Sequence, residues 1–259
     1  MLCFLPLLMI SPARGSAFST DNTDLWLTQG EDGWGMQMVQ QADVLFATIY
    51  VYDNNGNPIY YTVTLAPNGT DAAGETIWVG DLYLTHGPWF GSPTFSSTLV
   101  SYRKVGQMTY VPHFLATSSL NYTVDGVAVS KAIYRYTLRT DDYTGSYIGA
   151  FKIFATQCFN PLNDGIQVDL GTFNVVSQSS SGLRVVANAY QGFTCTYSGD
   201  YQQFGQFGQS RGSFSCSDSR TGNYTFYEMN VTQTDFRGLM IGTNASGCSL
   251  SGSFAGVRQ

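Results

Sequence analysis

The chain carries two histidines, His86 and His113, three glutamates and many serines and aspartates, and these bound its chemistry. A nucleophilic serine needs a histidine base with an acid behind it, and either histidine could find such partners. Neither comes with a Gly-x-Ser-x-Gly elbow, because Gly145-Ser-Tyr-Ile-Gly149 holds its serine at the wrong position. His113 follows Pro112 and reads as a half-buried strand or turn residue, and His86, ahead of Gly87-Pro88, as a loop residue. Paired carboxylates are the other chemistry, since glycoside hydrolysis takes two acids about 5–10 Å apart across a cleft. Glu31-Asp32 and Asp141-Asp142 are adjacent, and neighbours on a strand point to opposite faces, so neither pair forms that arrangement alone. Glu228 lies within an aromatic run, Tyr224 to Met229. Alternation puts it on the face of Phe226 and Asn230, opposite Tyr227 and Met229, as an outward-facing acid. Asp53 to Asn57 offers several calcium-loop oxygens but lacks the later bidentate glutamate, and reads as a hairpin turn. No motif assigns a catalytic residue, a metal or a cofactor.

Aromatic side chains are the stronger functional signal. Trp34, Trp78 and Trp89, with Tyr52 and Tyr61, are the candidate ligand-binding residues, lining a barrel mouth or a flat platform together with Trp26, Tyr50 and Tyr60. A glycan stacks on such rings and a small apolar molecule enters such a barrel. The competing reading is a packed aromatic core, because small barrels are filled by their own side chains. Trp89 and Phe90, between Pro88 and Gly91, are expected to be exposed on a loop.

These residues need a scaffold, and composition points to an all-β one. Of the 259 residues, 43% are hydrophobic, 15% aromatic and only 12% charged, with 28 glycines. Aromatic residues suit a pleated, half-buried surface, glycine supplies tight turns, and three Glu with three Lys are too few for long exposed helices. The net charge of −6 argues against nucleic acid, which wants a basic face. Met1 to Ile10 is apolar and small residues follow to Ala17, so residues 1–17 are expected to be a signal peptide, or alternatively a buried first strand or short helix. No run is long enough for a transmembrane helix. The strands are too short and glycine-broken for an outer-membrane barrel. A secreted or periplasmic location follows. Four cysteines then remain, Cys158, Cys195, Cys216 and Cys248, an even number that argues for two disulfides. Of three pairings, the expected one joins sequence neighbours, Cys158–Cys195 and Cys216–Cys248. A zinc site fits less well, since no pair has metal-knuckle spacing and neither histidine lies in this half.

Hairpin signals recur along the chain. Val44 to Tyr52 meets Pro58 to Leu65 through Asp53-Asn-Asn-Gly56, and Leu120 to Val124 returns through Asp125-Gly126. In Gly33 to Val39, Trp34, Met36 and Met38 share a face. Lys131 and Arg135 share parity with Ile133, which suggests that this strand twists past the core or lies near an edge. Cys195-Thr-Tyr-Ser-Gly-Asp-Tyr201 and Cys248-Ser-Leu-Ser-Gly-Ser-Phe254 match as two equivalent strands. All four tryptophans precede Thr140 and all four of these cysteines follow it. The reading is an antiparallel meander in two modules, 18–141 aromatic-rich and 142–259 disulfide-stapled, as two small barrels or a barrel and a sandwich.

The stretch Gly33-Trp34-Gly35, Asp43 to Tyr50, Tyr52-Asp53 and Gly56 to Tyr61 resembles a module of secreted bacterial proteins of unknown function. Leu120 to Ile133 resembles its closing hairpin, so the resemblance spans about residues 25–140. The pattern there has Trp where this chain has Ile59-Tyr60-Tyr61. The resemblance implies export and β architecture and brings no catalytic residues. The expected function is an exported, non-enzymatic binding or surface module, with a carboxylate-based hydrolase acting on an extracellular glycan, through Glu228 or Asp141/Asp142, as the alternative.

Overall fold

The computed structural model describes residues 20–114, 116–179 and 182–259; the expected signal segment, 1–17, lies outside them. Among the described residues sixteen strands follow one another. The first eight are β1 (Asp24–Leu27), β2 (Gly35–Gln41), β3 (Val44–Tyr52), β4 (Pro58–Thr70), β5 (Thr76–His86), β6 (Ser101–Pro112), β7 (Thr117–Val124) and β8 (Val127–Arg135). The rest are β9 (Gly145–Thr156), β10 (Gly165–Ser179), β11 (Gly182–Ala189), β12 (Thr194–Phe204), β13 (Phe207–Cys216), β14 (Thr221–Val231), β15 (Asp235–Asn244) and β16 (Ser249–Arg258). Each set of eight is an antiparallel meander closed on itself: β8 returns to β1, and β9 pairs with both β10 and β16. The fold is all-β, two barrels. Among the described residues no helix is long and apolar enough to cross a membrane.

Alternation explains each wall. On β3, Leu45, Ala47 and Ile49 are fully buried, whereas Phe46, Tyr50 and Tyr52 face outward. Met36 and Met38 turn inward on β2, with Trp34 packed against the same core. The interior of the first barrel is mainly aliphatic and methionine, with Trp26, Trp78 and Tyr110 among them. The second barrel holds the aromatic core. Phe151 stacks on Tyr197 at 5.5 Å with rings 12° apart, and Phe226 meets Phe254 at 4.7 Å. The two matching cysteine motifs lie at the starts of β12 and β16, and their last residues, Tyr201 and Phe254, are both buried.

Two expectations are corrected. The strand carrying Lys131 and Arg135 is not an edge, because Trp26 on β1 pairs with Arg135 and completes the barrel. The disulfides join Cys195 to Cys216 and Cys158 to Cys248, not Cys158 to Cys195 and Cys216 to Cys248. Cys195 and Cys216 stand directly opposite each other in the β12–β13 hairpin. Cys158 follows β9 and Cys248 precedes β16, so barrel closure brings together residues 90 apart in sequence. By loop-closure entropy the 90-residue link contributes about 4–5 kcal/mol and the 21-residue link about 3 kcal/mol. Peptide mapping without reduction is expected to yield Cys158–Cys248 and Cys195–Cys216. A Cys158–Cys195 peptide would contradict the barrel closure. Replacing Cys158 and Cys248 by serine should lower the unfolding free energy by more than replacing the hairpin pair.

Candidate functional site

Strand direction places the turns after β4, β6 and β8 at one end of the first barrel, together with the segment leading into β1. The turns after β10, β12 and β14 lie at one end of the second barrel, and the two disulfides staple its other end. These turn ends face each other. The β12–β13 hairpin tip is seated on β1: Gln206 N donates to Asp24 Oδ2 at 3.0 Å and Gln206 Nε2 to Thr23 O at 2.5 Å. Gly205, at φ +56°, lies so close that a Cβ would stand 2.0 Å from Asp24 Oδ2, which leaves room only for glycine.

Arg135 holds this joint. Its guanidinium donates from Nη1 to Asp24 Oδ2 at 2.9 Å and from Nη2 to Asp21 O at 2.7 Å. Trp26 of its own barrel lies 4.8 Å from the guanidinium carbon and Phe207 of the other barrel 5.0 Å. The Arg135 side chain is only 4% exposed, so its charge is stabilised by these partners rather than by water. Beside it, Tyr110 Oη donates to Asn22 Oδ1 at 2.9 Å and accepts from Ser118 Oγ at 3.0 Å. Burial raises the Tyr110 phenol well above its ordinary range, keeping it a neutral donor.

Between the two barrels lies a cavity of about 400 Å³. Trp78, Glu75, His113 and Phe114 line it from the first barrel, Tyr227 and Glu228 from the second. Phe114 and Tyr227 meet edge to face at 5.0 Å across the gap. Glu228 enters because β14 is bulged: its register shifts between Tyr227 and Asn230 against β15, and Glu228 itself stands at φ +49°. A non-glycine residue in the left-handed region costs about 1–3 kcal/mol, and such positions cluster at functional sites. The bulge also overturns the alternation, since Phe226 and Met229, three residues apart, are both fully buried. Glu228 is half-buried rather than outward-facing, and accepts a hydrogen bond from the Thr20 hydroxyl. Burial pushes its pKa up, the Thr20 bond and the Arg135 charge oppose this, and Asp21 adds to it.

On the other wall, His113 Nδ1 lies 2.5 Å from Glu75 Oε2 and His113 Nε2 lies 2.6 Å from Ser119 Oγ. Glu75 is separated from His113 by 38 residues, so no local motif announced the contact. His86 ends β5 and is exposed.

The candidate aromatics divide. Trp78 is buried in the first barrel and lines the cavity. Trp34, Tyr52 and Tyr61 lie toward the opposite end, where Trp34 Nε1 donates to Tyr122 Oη at 3.3 Å beneath Lys131. Lys131 pairs there with Glu31. Trp89 and Phe90 are exposed on the loop after β5 at that same end, at 69% and 93%. The adjacent acids do not converge: Asp141 pairs with Arg139 at 2.8 Å and Asp142 accepts from Thr144. Asp53 caps its hairpin turn through the Asn55 and Asn57 amides. Glu75 and Glu228 are the carboxylates that share the cavity. No family model, no curated protein and no solved structure matches the chain.

Because burial raises the Glu228 pKa in the folded protein, its ionised form opposes folding. Its contribution to stability is therefore greatest below about pH 4, the unfolded glutamate range, and is lost as pH rises through the raised value. Denaturation of wild type and Glu228→Gln across pH 3–8 checks this. The Gln variant should gain stability relative to wild type as pH rises, and a pH-independent difference would place Glu228 in water.

Proposed function

We propose that the chain is an exported ligand-binding protein whose site is the cavity between its barrels. The observation that carries this is the bulge that holds Glu228 in a strained conformation at the wall of an aromatic-lined space. At about 400 Å³ the cavity has the size of a small-molecule site. Phe114 and Tyr227 supply aromatic rings, and Glu228 supplies a hydrogen-bonding carboxylate. The occupant is a small molecule with an apolar face and hydroxyl groups, such as the end of a glycan. Sugar C–H faces stack on aromatic rings while carboxylates accept from sugar hydroxyls. Two disulfides suit an oxidising compartment, and the likeness of residues 25–140 to a secreted bacterial module supports export. Hydrolysis by a Glu75/Glu228 carboxylate pair is less well supported, because the His113 ring already occupies a Glu75 oxygen.

Trp78 reports on this cavity, whereas Trp34 and Trp89 lie toward the other end of the barrel. A panel of mono- and disaccharides and small apolar compounds, read by tryptophan fluorescence, is expected to give a saturable change that Trp78→Phe removes. Tyr227→Ala and Glu228→Gln should each weaken binding about tenfold, the loss of one good contact of ~1.4 kcal/mol. A saturable change that survives Trp78→Phe and both other variants would move the site to the distal aromatics.

A further inference from the structure

We propose that Ser119, His113 and Glu75 form an ester-hydrolysing triad at the rim of the inter-barrel cavity. Each comes from a different place: Glu75 from the turn between β4 and β5, His113 from the residue that follows β6, and Ser119 from β7. The order of contacts is that of a nucleophile, a base and an acid that orients the base. His113 Nε2 reaches Ser119 Oγ at 2.6 Å, and Nδ1 reaches Glu75 Oε2 at 2.5 Å. With Glu75 ionised, Nδ1 carries the proton and donates to it, which leaves Nε2 to accept from the serine hydroxyl.

The frame behind each group is fixed. Glu75 N donates to Asp71 Oδ1 and Glu75 O accepts from Asp71 N, both at 2.9 Å, while His113 N donates to Thr117 O at 2.9 Å. Folding alone does not require this chain of contacts. The His113 and Glu75 side chains are 35% and 25% exposed, so water reaches both and little burial penalty forces them to pair. Ser119 points away from the core, between buried Ser118 and Leu120, and its ladder partners are Val111 and Ala132. Ser119 itself is half-buried, so water reaches this part of the wall. Glu75 and His113 also line the cavity, so one part of an ester can sit there while its carbonyl meets Ser119.

In the reaction, Ser119 Oγ bonds to the ester carbonyl carbon as its proton passes to His113 Nε2. The bond from that carbon to the alkoxy oxygen breaks, and the alcohol leaves with this proton. Water then adds to the acyl-serine, giving a proton to His113; the carboxylic acid departs and Ser119 regains its proton. Glu75 touches no reacting atom. It is a positioning residue that stabilises the imidazolium and holds its orientation. This step goes beyond ligand binding and rests on the cavity only for seating part of the substrate.

A fluorophosphonate probe on the mature, oxidised protein, with the adduct located by mass spectrometry, tests the proposal on wild type. The expected adduct is on Ser119. p-Nitrophenyl acetate and butyrate should be hydrolysed with saturation, and Ser119→Ala and His113→Gln should each lose about 10³-fold in kcat/KM. Glu75→Gln should lower kcat and displace its pH profile, which a merely structural contact would not do. No adduct at Ser119, or unchanged hydrolysis by a folded Ser119→Ala variant, overturns the triad. Saccharide or apolar-ligand binding retained in Ser119→Ala separates that failure from failure of the cavity itself.

Discussion

The architecture turns on one buried cation. Arg135 ends the last strand of the first barrel, and its charge is met by Asp24 in the same barrel and by ring faces from both. A guanidinium removed from water is costly unless its donors are used and its faces covered. Asp24 is shared, since the same Oδ2 accepts from Arg135 and from Gln206 of the opposite hairpin. The joint thereby couples closure of the first barrel to docking of the second. That docking brings Tyr227 and Glu228 of the second barrel opposite Trp78, Glu75 and His113 of the first.

The second barrel is stabilised differently at its two ends. Its disulfides lie at the end remote from the first barrel, where the strands meet solvent. At the near end Tyr143 enters the core, its hydroxyl donating to Met229 O at 2.8 Å and its ring meeting Tyr201 and Phe236 edge to face. The connection between barrels therefore doubles as a plug. Tyr143 is fully buried, and burial raises its pKa far above the ordinary phenol range, so it remains a neutral donor.

Much of the fold was legible because side-chain alternation is local. Leu45, Ala47 and Ile49 inward with Phe46 and Tyr50 outward is written in the residue order of one strand. Closure is not local, which is why the cysteine pairing was misread: Cys158 and Cys248 meet only once β16 returns to β9. Glu228 was misread for a related reason. Its two neighbours set a strict alternation on paper, and the bulge that breaks it depends on register with β13 and β15. Parity alone reads Arg135 as marking a twist or an edge, because the β12–β13 hairpin that covers it is distant in sequence. The contacts of His113 join three elements, and only the partner six residues away, Ser119, lay within local reach.

The most direct measurement is a double-mutant cycle across the joint, with Arg135→Met and Phe207→Leu alone and together, read by chemical denaturation. If the guanidinium is held between the barrels as described, the two changes should be coupled by about 1 kcal/mol, in the range of a desolvated cation–ring contact. Coupling indistinguishable from zero would mean that Phe207 does not cover Arg135. The barrels would then not be seated on each other in this way, and the cavity between them would lose its walls.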